Sequence, residues 1–251
     1  MITVTPVNAF TDNYIWVLQR AGRAVAVDPG EAAPLERHLS AAGLTLEALL
    51  ITHHHGDHVG GVAELVARHP GLAVYGPAGV RGVTHPVADG DTVEVLGQRF
   101  NVLAVPGHTL DHLAYHDDAH LFCGDTLFGA GCGRVFEGTP AMLHASLTKL
   151  AALPDATLAY PAHEYTLSNL AFAAEADPRN PAVAERRRRD QARRERGEAT
   201  LPTPLAEEKR SNPFLRCDDP NLRAGLEQRF GRRLPDAVAT FAVLRDWKNR
   251  F

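Results

Sequence analysis

The sequence predicts an α/β fold followed by a helical C-terminal segment. From residue 1 to about residue 165, short apolar runs rich in β-branched residues alternate with stretches of helical periodicity. After about residue 166 the strand-like runs stop and helical patterns take over. A chain of 251 residues buries enough apolar surface to fold without disulfide or metal staples.

The predicted strands are short apolar stretches bounded by polar residues, glycine or proline. They cover residues 2–7, 14–18, 24–27, 48–51, 73–75, 92–95, 100–105, 113–115, 121–123 and 157–160. Helical spacing of apolar residues predicts helices at about 31–42, 59–69 and 140–152. Strands interrupted by helices in this way favour a mixed sheet, or two sheets, with helices on the faces.

The C-terminal part is predicted to be helical. Helices are expected at about 167–176, 182–196 and 236–247, separated by breaks that contain proline and asparagine. We therefore predict two domains, residues 1–165 and residues 166–251. The arginine-rich run at 185–196 contains acidic residues and no aromatic residue, which favours a solvated helix face over a nucleic-acid site.

Composition narrows the function classes. The net charge of -4 gives no global attraction to nucleic acid or to an anionic membrane. The three cysteines form no CxxC pair, so we expect no disulfide framework and a reducing compartment. The N-terminal residues have neither a basic region nor a continuous apolar run, and no 18 apolar residues run together. These features predict a cytoplasmic protein without a membrane partner.

The densest chemical signal is the histidine loop, residues 52–58, with the sequence THHHGDH. It follows a predicted strand and precedes a predicted helix, so the cluster lies on a loop at a sheet edge. Alternation along an extended chain places His53 and His55 on one side and turns His54 away. Gly56 lets the chain turn and direct Asp57 and His58 elsewhere. So many titratable groups in one loop indicate bound cations.

Three more ligand candidates each follow a strand-like run: His108 after Pro-Gly, Asp125 after Gly, and His163 after Pro-Ala. A pair of hydrolytic metal ions about 3.5 to 4 Å apart needs roughly six or seven ligands, and imidazole and carboxylate suit zinc. We therefore predict two divalent ions. The assignment is His53, His55 and His108 for one ion, Asp57, His58 and His163 for the other, and Asp125 between them.

These motifs resemble the metallo-β-lactamase superfamily, whose fold is a four-layered αββα sandwich with two metals at one edge of the sheets. A narrower resemblance, to glyoxalase II (hydroxyacylglutathione hydrolase), covers essentially the whole chain. It is carried by residues 12–16 (DNYIW), 52–58, 131–138 (GCGRVFEG), 163–166 (HEYT) and 208–216 (EKRSNPFLR). The resemblance implies that residues 1–165 form the catalytic domain and that residues 166–251 bind substrate.

The resemblance implies hydrolysis of the thioester S-D-lactoylglutathione to D-lactate and glutathione, the second step of methylglyoxal detoxification. A metal-bridging hydroxide would be the nucleophile, with Asp57 and Asp125 as the catalytic carboxylates. It also implies that Arg134, Tyr165 and Arg216 hold the glutathione part, and that Phe136 stands where some family members have tyrosine. Some members also carry a lysine soon after the NPFLR motif, where this chain has Cys-Asp-Asp. Arg210 or Arg223 are the candidate substitutes.

Alternatives remain at this point. Persulfide dioxygenases share the histidine motif but use one iron, and they lack the long C-terminal segment. A nuclease of the superfamily would use the arginine run for phosphates, a non-enzymatic binding module would not need seven ligands, and a secreted β-lactamase would carry a signal peptide. The donor set suits zinc best by class but also admits iron or manganese. We expect a monomer whose partner is a small molecule, with no nucleic acid bound.

Overall fold

The computed structural model describes residues 2–251, which form two compact units. The first unit comprises residues 2–104 and 111–124, and the second comprises residues 105–110 and 125–251. In the described range, no helix is both long and apolar enough to cross a membrane. The three cysteines are buried, and none of them is in a disulfide.

The first sheet of the first unit has six strands in sequential order. Strands β1 to β3 form an antiparallel meander, and β3 to β6 are parallel neighbours, as expected where helices make the crossovers. The strands are β1 (Thr3–Ala9), β2 (Asn13–Arg20), β3 (Arg23–Val27), β4 (Thr45–Leu50), β5 (Ala73–Gly76) and β6 (His85–Pro86).

Helices α1 (Ala32–Ala42), α2 (Gly56–Val59) and α3 (Val62–Arg68) belong to the connections of this sheet. Leu35 and Leu39 of α1 and Leu65 of α3 are buried in one apolar cluster with alternate residues of β1 to β4. The helices therefore cover one face of the sheet. Gly43 ends α1 in the left-handed conformation, at φ 63°, which glycine adopts without a Cβ clash.

The first unit also contains four antiparallel strands: β7 (Thr92–Val95), β8 (Gln98–Ala104), β9 (Leu113–His116) and β10 (His120–Gly124). The two groups of strands meet where β4 ends. The Tyr115 hydroxyl donates to the Ile51 carbonyl at 2.8 Å, and Leu113 N–H donates to Thr52 O at 2.8 Å. These bonds fix the start of the histidine loop.

The second unit is mainly helical. Its strands are β11 (Leu127–Phe128), β12 (Gly131–Cys132), β13 (Leu158–Pro161) and β14 (Thr203–Pro204), and its helices are α4 (Pro140–Ala151), α5 (Thr166–Ala176), α6 (Pro181–Glu195), α7 (Leu205–Ser211), α8 (Pro220–Phe230) and α9 (Ala237–Asn249). Helices α4 and α6 begin with proline in the first turn, after the capping residues Thr139 and Asn180.

Each predicted strand and helix overlaps an observed one. The sequence reading missed α7, α8 and the two-residue strands β6, β11, β12 and β14. Helix α8 buries only Leu222 and Leu226, so its apolar pattern is too sparse to recognise. The two-residue strands are defined by their partners and not by any periodicity of their own. The predicted domain boundary after residue 165 stays a prediction.

Candidate metal and substrate site

The histidine loop brings His53 and His55 together as the alternation predicted. His53 is fully buried, and its Nε2 lies 3.1 Å from Nδ1 of the half-buried His55. His54 is exposed, and its Nδ1 lies 3.0 Å from Asp111 Oδ2. One nitrogen is an Nε2 and the other an Nδ1. At this separation both can act as ligands of a single metal ion.

Asp57 and His58 follow in α2. The His58 ring lies 4.1 Å from the His53 ring between centroids, and its Nε2 lies 3.5 Å from Asp57 Oδ2. Asn13 Nδ2 donates to the same carboxylate oxygen at 3.1 Å. The asparagine therefore orients Asp57, and the sequence analysis had quoted Asn13 only as part of a motif.

Asp28 is a residue that the sequence analysis did not single out. It directly follows β3 and lies in the left-handed region, at φ 51°, with its side chain buried. Its carboxylate accepts from Thr52 N at 2.8 Å, from Thr52 Oγ1 at 2.7 Å and from His58 Nδ1 at 3.0 Å. A carboxylate that holds Nδ1–H of a histidine fixes the tautomer in which Nε2 is the ligand atom. Its sequence signal is an aspartate between a buried strand and Pro-Gly.

The same logic applies to His53. The Thr52 hydroxyl gives its proton to Asp28, so its oxygen can accept from His53 Nδ1, which lies 3.0 Å away. His112 stacks on the His53 ring at 4.5 Å with an interplanar angle of 16°. The His53 ring is therefore held at its edge by Thr52 and on one face by His112.

The second unit contains the other three ligand candidates. Asp125 lies between two imidazoles: its Oδ2 is 3.3 Å from His108 Nε2, and its Oδ1 is 3.4 Å from His163 Nε2. His108 Nδ1 lies 2.8 Å from the Arg134 carbonyl, to which it donates, and this bond leaves Nε2 as the ligand atom. Asp125 therefore turns one carboxylate oxygen toward each of the two imidazoles, and its place between two metal ions stays a prediction.

A cavity of about 450 Å³ in the second unit contains these candidates. Of the predicted residues, His108, Asp125, Arg134, Phe136 and Tyr165 line it. Tyr165 stacks on His163 at 4.7 Å, with the ring planes 7° apart. The wall of this cavity also includes residues that were not predicted from the sequence: Arg245, Lys248 and Asn249 of α9, followed by Phe251. We call it the cationic cavity, because Arg134, Arg245 and Lys248 line it.

Arg245 and Lys248 add positive charge to this cavity. The buried Arg245 donates through Nη1 to the Cys132 carbonyl at 2.8 Å. Burial, together with the positive charges of Arg245 and Arg134, lowers the pKa of Lys248. Both residues lie on one face of α9, at the spacing of about one helical turn, which was the available sequence signal. Together with Arg134 they give the cavity three cations against one carboxylate, Asp125.

Arg216 does not line the cationic cavity. Its Nε lies 3.3 Å from Asp177 and its Nη2 lies 2.7 Å from Asp219, and it faces a separate surface hollow with Arg179. Two carboxylates therefore pair with the Arg216 guanidinium, and its predicted contact with substrate stays a prediction. Arg210 and Arg223 are likewise paired, with Glu185 and Asp218.

The donors fit a divalent metal. In each unit, imidazoles present one ring nitrogen while a hydrogen bond holds the other, as metal-ligating histidines do. Imidazole with carboxylate and without thiolate is a donor set of intermediate hardness, shared by zinc, iron and manganese sites.

Comparison with known protein families identifies the class to which this protein belongs. The metallo-beta-lactamase superfamily matches residues 9–163, which confirms the predicted α/β fold class. The family described as hydroxyacylglutathione hydrolase C-terminus matches residues 164–251, which confirms the helical C-terminal region. The chain belongs to the hydroxyacylglutathione hydrolase family, and family and donor clusters together make it a protein that binds divalent metal.

The relatives extend over the full length. The hydroxyacylglutathione hydrolase of Photobacterium profundum is 52% identical, with 100% of both chains covered. That of Alkalilimnicola ehrlichii is 51% identical, again with 100% of both covered.

Two solved structures are similar. ETHE1 from Myxococcus xanthus has a TM-score of 0.64 at 29% identity, over 85% of this chain and 83% of the other. TTHA1623, solved in a di-iron-bound form, has a TM-score of 0.62 at 28% identity, over 84% of this chain and 100% of the other.

Proposed function

We propose that this chain is a metal-dependent thioesterase that hydrolyses S-D-lactoylglutathione to D-lactate and glutathione. One observation carries the proposal: candidate metal ligands and candidate substrate cations line the same cavity. His108 and Asp125 share that wall with Arg134, Arg245 and Lys248. The full-length identity to hydroxyacylglutathione hydrolases supports the same reaction.

The proposed ligands are those predicted from the sequence. His53, His55 and His108 would hold one ion, Asp57, His58 and His163 the other, with Asp125 shared. The hydrogen bonds at Nδ1 of His58 and His108 support this set, because they leave Nε2 as the ligand atom. Zinc is the proposed metal, and the di-iron form of the similar TTHA1623 makes iron the first alternative to test.

Bound divalent ions would supply a hydroxide nucleophile at neutral pH and polarise the thioester carbonyl. The chain's own residues do the rest. Glutathione has two carboxylates, and Arg134, Arg245 and Lys248 provide cations for them. Lys248 would supply the cation that this chain lacks after the NPFLR motif. The leaving thiolate has a conjugate acid with a pKa near 8.5, so no strong proton donor is required.

Asn13 and Asp28 position the reacting groups of the first unit. Asn13 orients Asp57, one of the two proposed catalytic carboxylates. Asp28 fixes the tautomer of His58 and, through Thr52, that of His53. Neither residue needs to touch substrate to affect the rate, because a misplaced ligand lowers the affinity for the metal ion.

Persulfide dioxygenase activity is the less favoured function. Residues 164–251 match the hydroxyacylglutathione hydrolase C-terminal family, and the long C-terminal segment was the feature that argued against the dioxygenase. The division at residue 165, the cytoplasmic location and the monomeric state remain our proposals.

The decisive experiment measures S-D-lactoylglutathione hydrolysis by the purified protein, with elemental analysis of the same sample. We expect turnover with about two metal ions per chain. A single iron per chain, with oxygen consumed on glutathione persulfide and no thioester hydrolysis, would establish the dioxygenase instead.

A further inference from the structure

The β11–β12 hairpin connects a proposed metal ligand to the wall of the cationic cavity. It begins two residues after Asp125 and ends two residues before Arg134. Its turn is Gly129-Ala130, with Ala130 in the left-handed region at φ 54°, which a residue with a Cβ adopts only when its surroundings hold it. A hairpin of two-residue strands is too short to be stable by its own ladder.

Side chains from the helices bind the backbone of this hairpin. Asn212 Nδ2 donates to Gly131 O at 2.9 Å and to Phe128 O at 3.3 Å. Glu208 Oε2 accepts from Ala130 N at 2.9 Å. Backbone groups of the hairpin are therefore bound by side chains about 80 positions later in the chain.

Glu208 and Asn212 are themselves fixed. Both are fully buried, and Asn212 Nδ2 also donates to Glu208 Oε2 at 3.1 Å. The other Glu208 oxygen lies 2.6 Å from Nη2 of the buried Arg186. A buried ion pair is a weak source of stability, but it can specify one arrangement of the groups around it.

The hairpin also lies too close to α5 to tolerate displacement toward it. A Cβ added at Gly129 would lie 2.3 Å from Thr166 Oγ1, and one added at Gly131 would lie 2.4 Å from Asn169 Nδ2. Asn169 Nδ2 donates to Gly129 O at 3.0 Å. The hairpin is thus held between α5 on one side and the Glu208–Asn212 pair on the other.

We propose that Glu208 and Asn212 are positioning residues, which hold the β11–β12 hairpin so that Asp125 keeps its place between His108 and His163. This inference rests on the proposed function, since it takes Asp125 as a shared metal ligand. It gives the C-terminal helices a role in metal binding as well as in substrate binding.

The test compares Asn212→Asp with Ser211→Ala. Asn212→Asp keeps the side-chain size but turns an oxygen toward two carbonyls and the Glu208 carboxylate. Ser211 is the matched control, because it accepts from Arg186 at 2.9 Å and donates to the Glu207 carbonyl, so its loss perturbs the same buried network away from the hairpin. Zn²⁺ affinity is measured by chelator competition, alongside unfolding in denaturant and steady-state kinetics.

We expect Asn212→Asp to weaken Zn²⁺ binding by about 10- to 100-fold and to lower kcat more than it raises KM. Ser211→Ala should keep Zn²⁺ affinity within about twofold of wild type even where its stability falls. Unchanged Zn²⁺ affinity in Asn212→Asp, or parallel losses of affinity and stability in both variants, would overturn the proposal.

Should Asn212→Asp not fold, Glu208→Gln decides the same comparison. It preserves the side-chain volume but places an amide donor against Arg186 or the Ala130 N–H, and it must weaken Zn²⁺ more than Ser211→Ala does. The Zn²⁺ readout is independent of the reaction. A wild-type protein that binds Zn²⁺ without hydrolysing the glutathione thioester would refute the proposed function and leave this test intact.

Discussion

The histidine loop of the first unit and the residues 125–136 of the second unit are organised by different means. In the histidine loop, four of the proposed ligands lie within six residues, and Thr52, the residue directly before them, holds His53. In residues 125–136 the backbone is held by side chains far away in the sequence, with Arg245 reaching Cys132 across 113 positions. Ligands that are adjacent in sequence are easy to recognise, whereas ligands held by distant helices are not.

Asp125→Ala tests the ligand candidates of the second unit, which are dispersed along the sequence. We expect it to have the largest effect on metal content and activity. It removes the carboxylate between His108 and His163, so we expect metal content to fall and kcat to drop by about a thousandfold, equivalent to roughly 4 kcal/mol of transition-state stabilisation. Elemental analysis and steady-state kinetics measure both. Asp218→Ala, at a side chain that is 88% exposed, is the control. Full turnover by Asp125→Ala would refute the shared-ligand assignment.

Asp28→Asn tests the histidine loop of the first unit. The amide keeps the shape of the carboxylate but presents a donor to Thr52 Oγ1 or to His58 Nδ1, so the preferred tautomers are lost. We expect metal affinity and activity to fall by about 10- to 100-fold. Asp111→Asn, which alters only the partner of the exposed His54, should leave both unchanged. Equal effects of the two variants would mean that the loop does not depend on Asp28.

Lys248→Met and Arg216→Met separate two of the candidate substrate contacts of the second unit. Lys248 lines the cationic cavity, whereas Arg216 is paired with Asp177 and Asp219. We expect Lys248→Met to raise KM about tenfold, the value of one charge-assisted bond of roughly 1.4 kcal/mol, with kcat little changed. Arg216→Met should leave KM within about twofold. A rise in KM for Arg216→Met alone would restore the original sequence prediction.

The pH dependence of KM gives the smallest effect. Burial and the nearby arginines lower the pKa of Lys248, so the side chain loses its proton below the usual range of lysine. Its positive charge is lost as pH rises through the lowered pKa, so binding of the substrate carboxylates weakens on the alkaline side. A KM series from about pH 7 to pH 10 should rise several-fold in the wild type and stay flatter in Lys248→Met.

Much of the fold could be predicted because strands and helices leave local patterns. Except for β6, the strands of the first unit follow short apolar runs, and α1, α3 and α9 follow helical spacing. The elements that were missed are short or sparsely apolar, such as β11, β12 and α8. Such elements exist because of their neighbours: Asn212 and Glu208 hold β11 and β12 in place, and no local pattern encodes that.

The sequence alone determined the ligand types, the strand-end placement of His108, Asp125 and His163, and the family, because these features depend on residue identity and order. Tertiary structure decided which distant side chains serve the site. It paired Arg216 with Asp177 and Asp219, it placed Arg245 and Lys248 in the wall of the cationic cavity, and it identified Asp28 as the residue that fixes two imidazoles. The reason is physical: a cation binds substrate only where its charge is not already neutralised, and neutralisation depends on contacts between residues far apart in the chain.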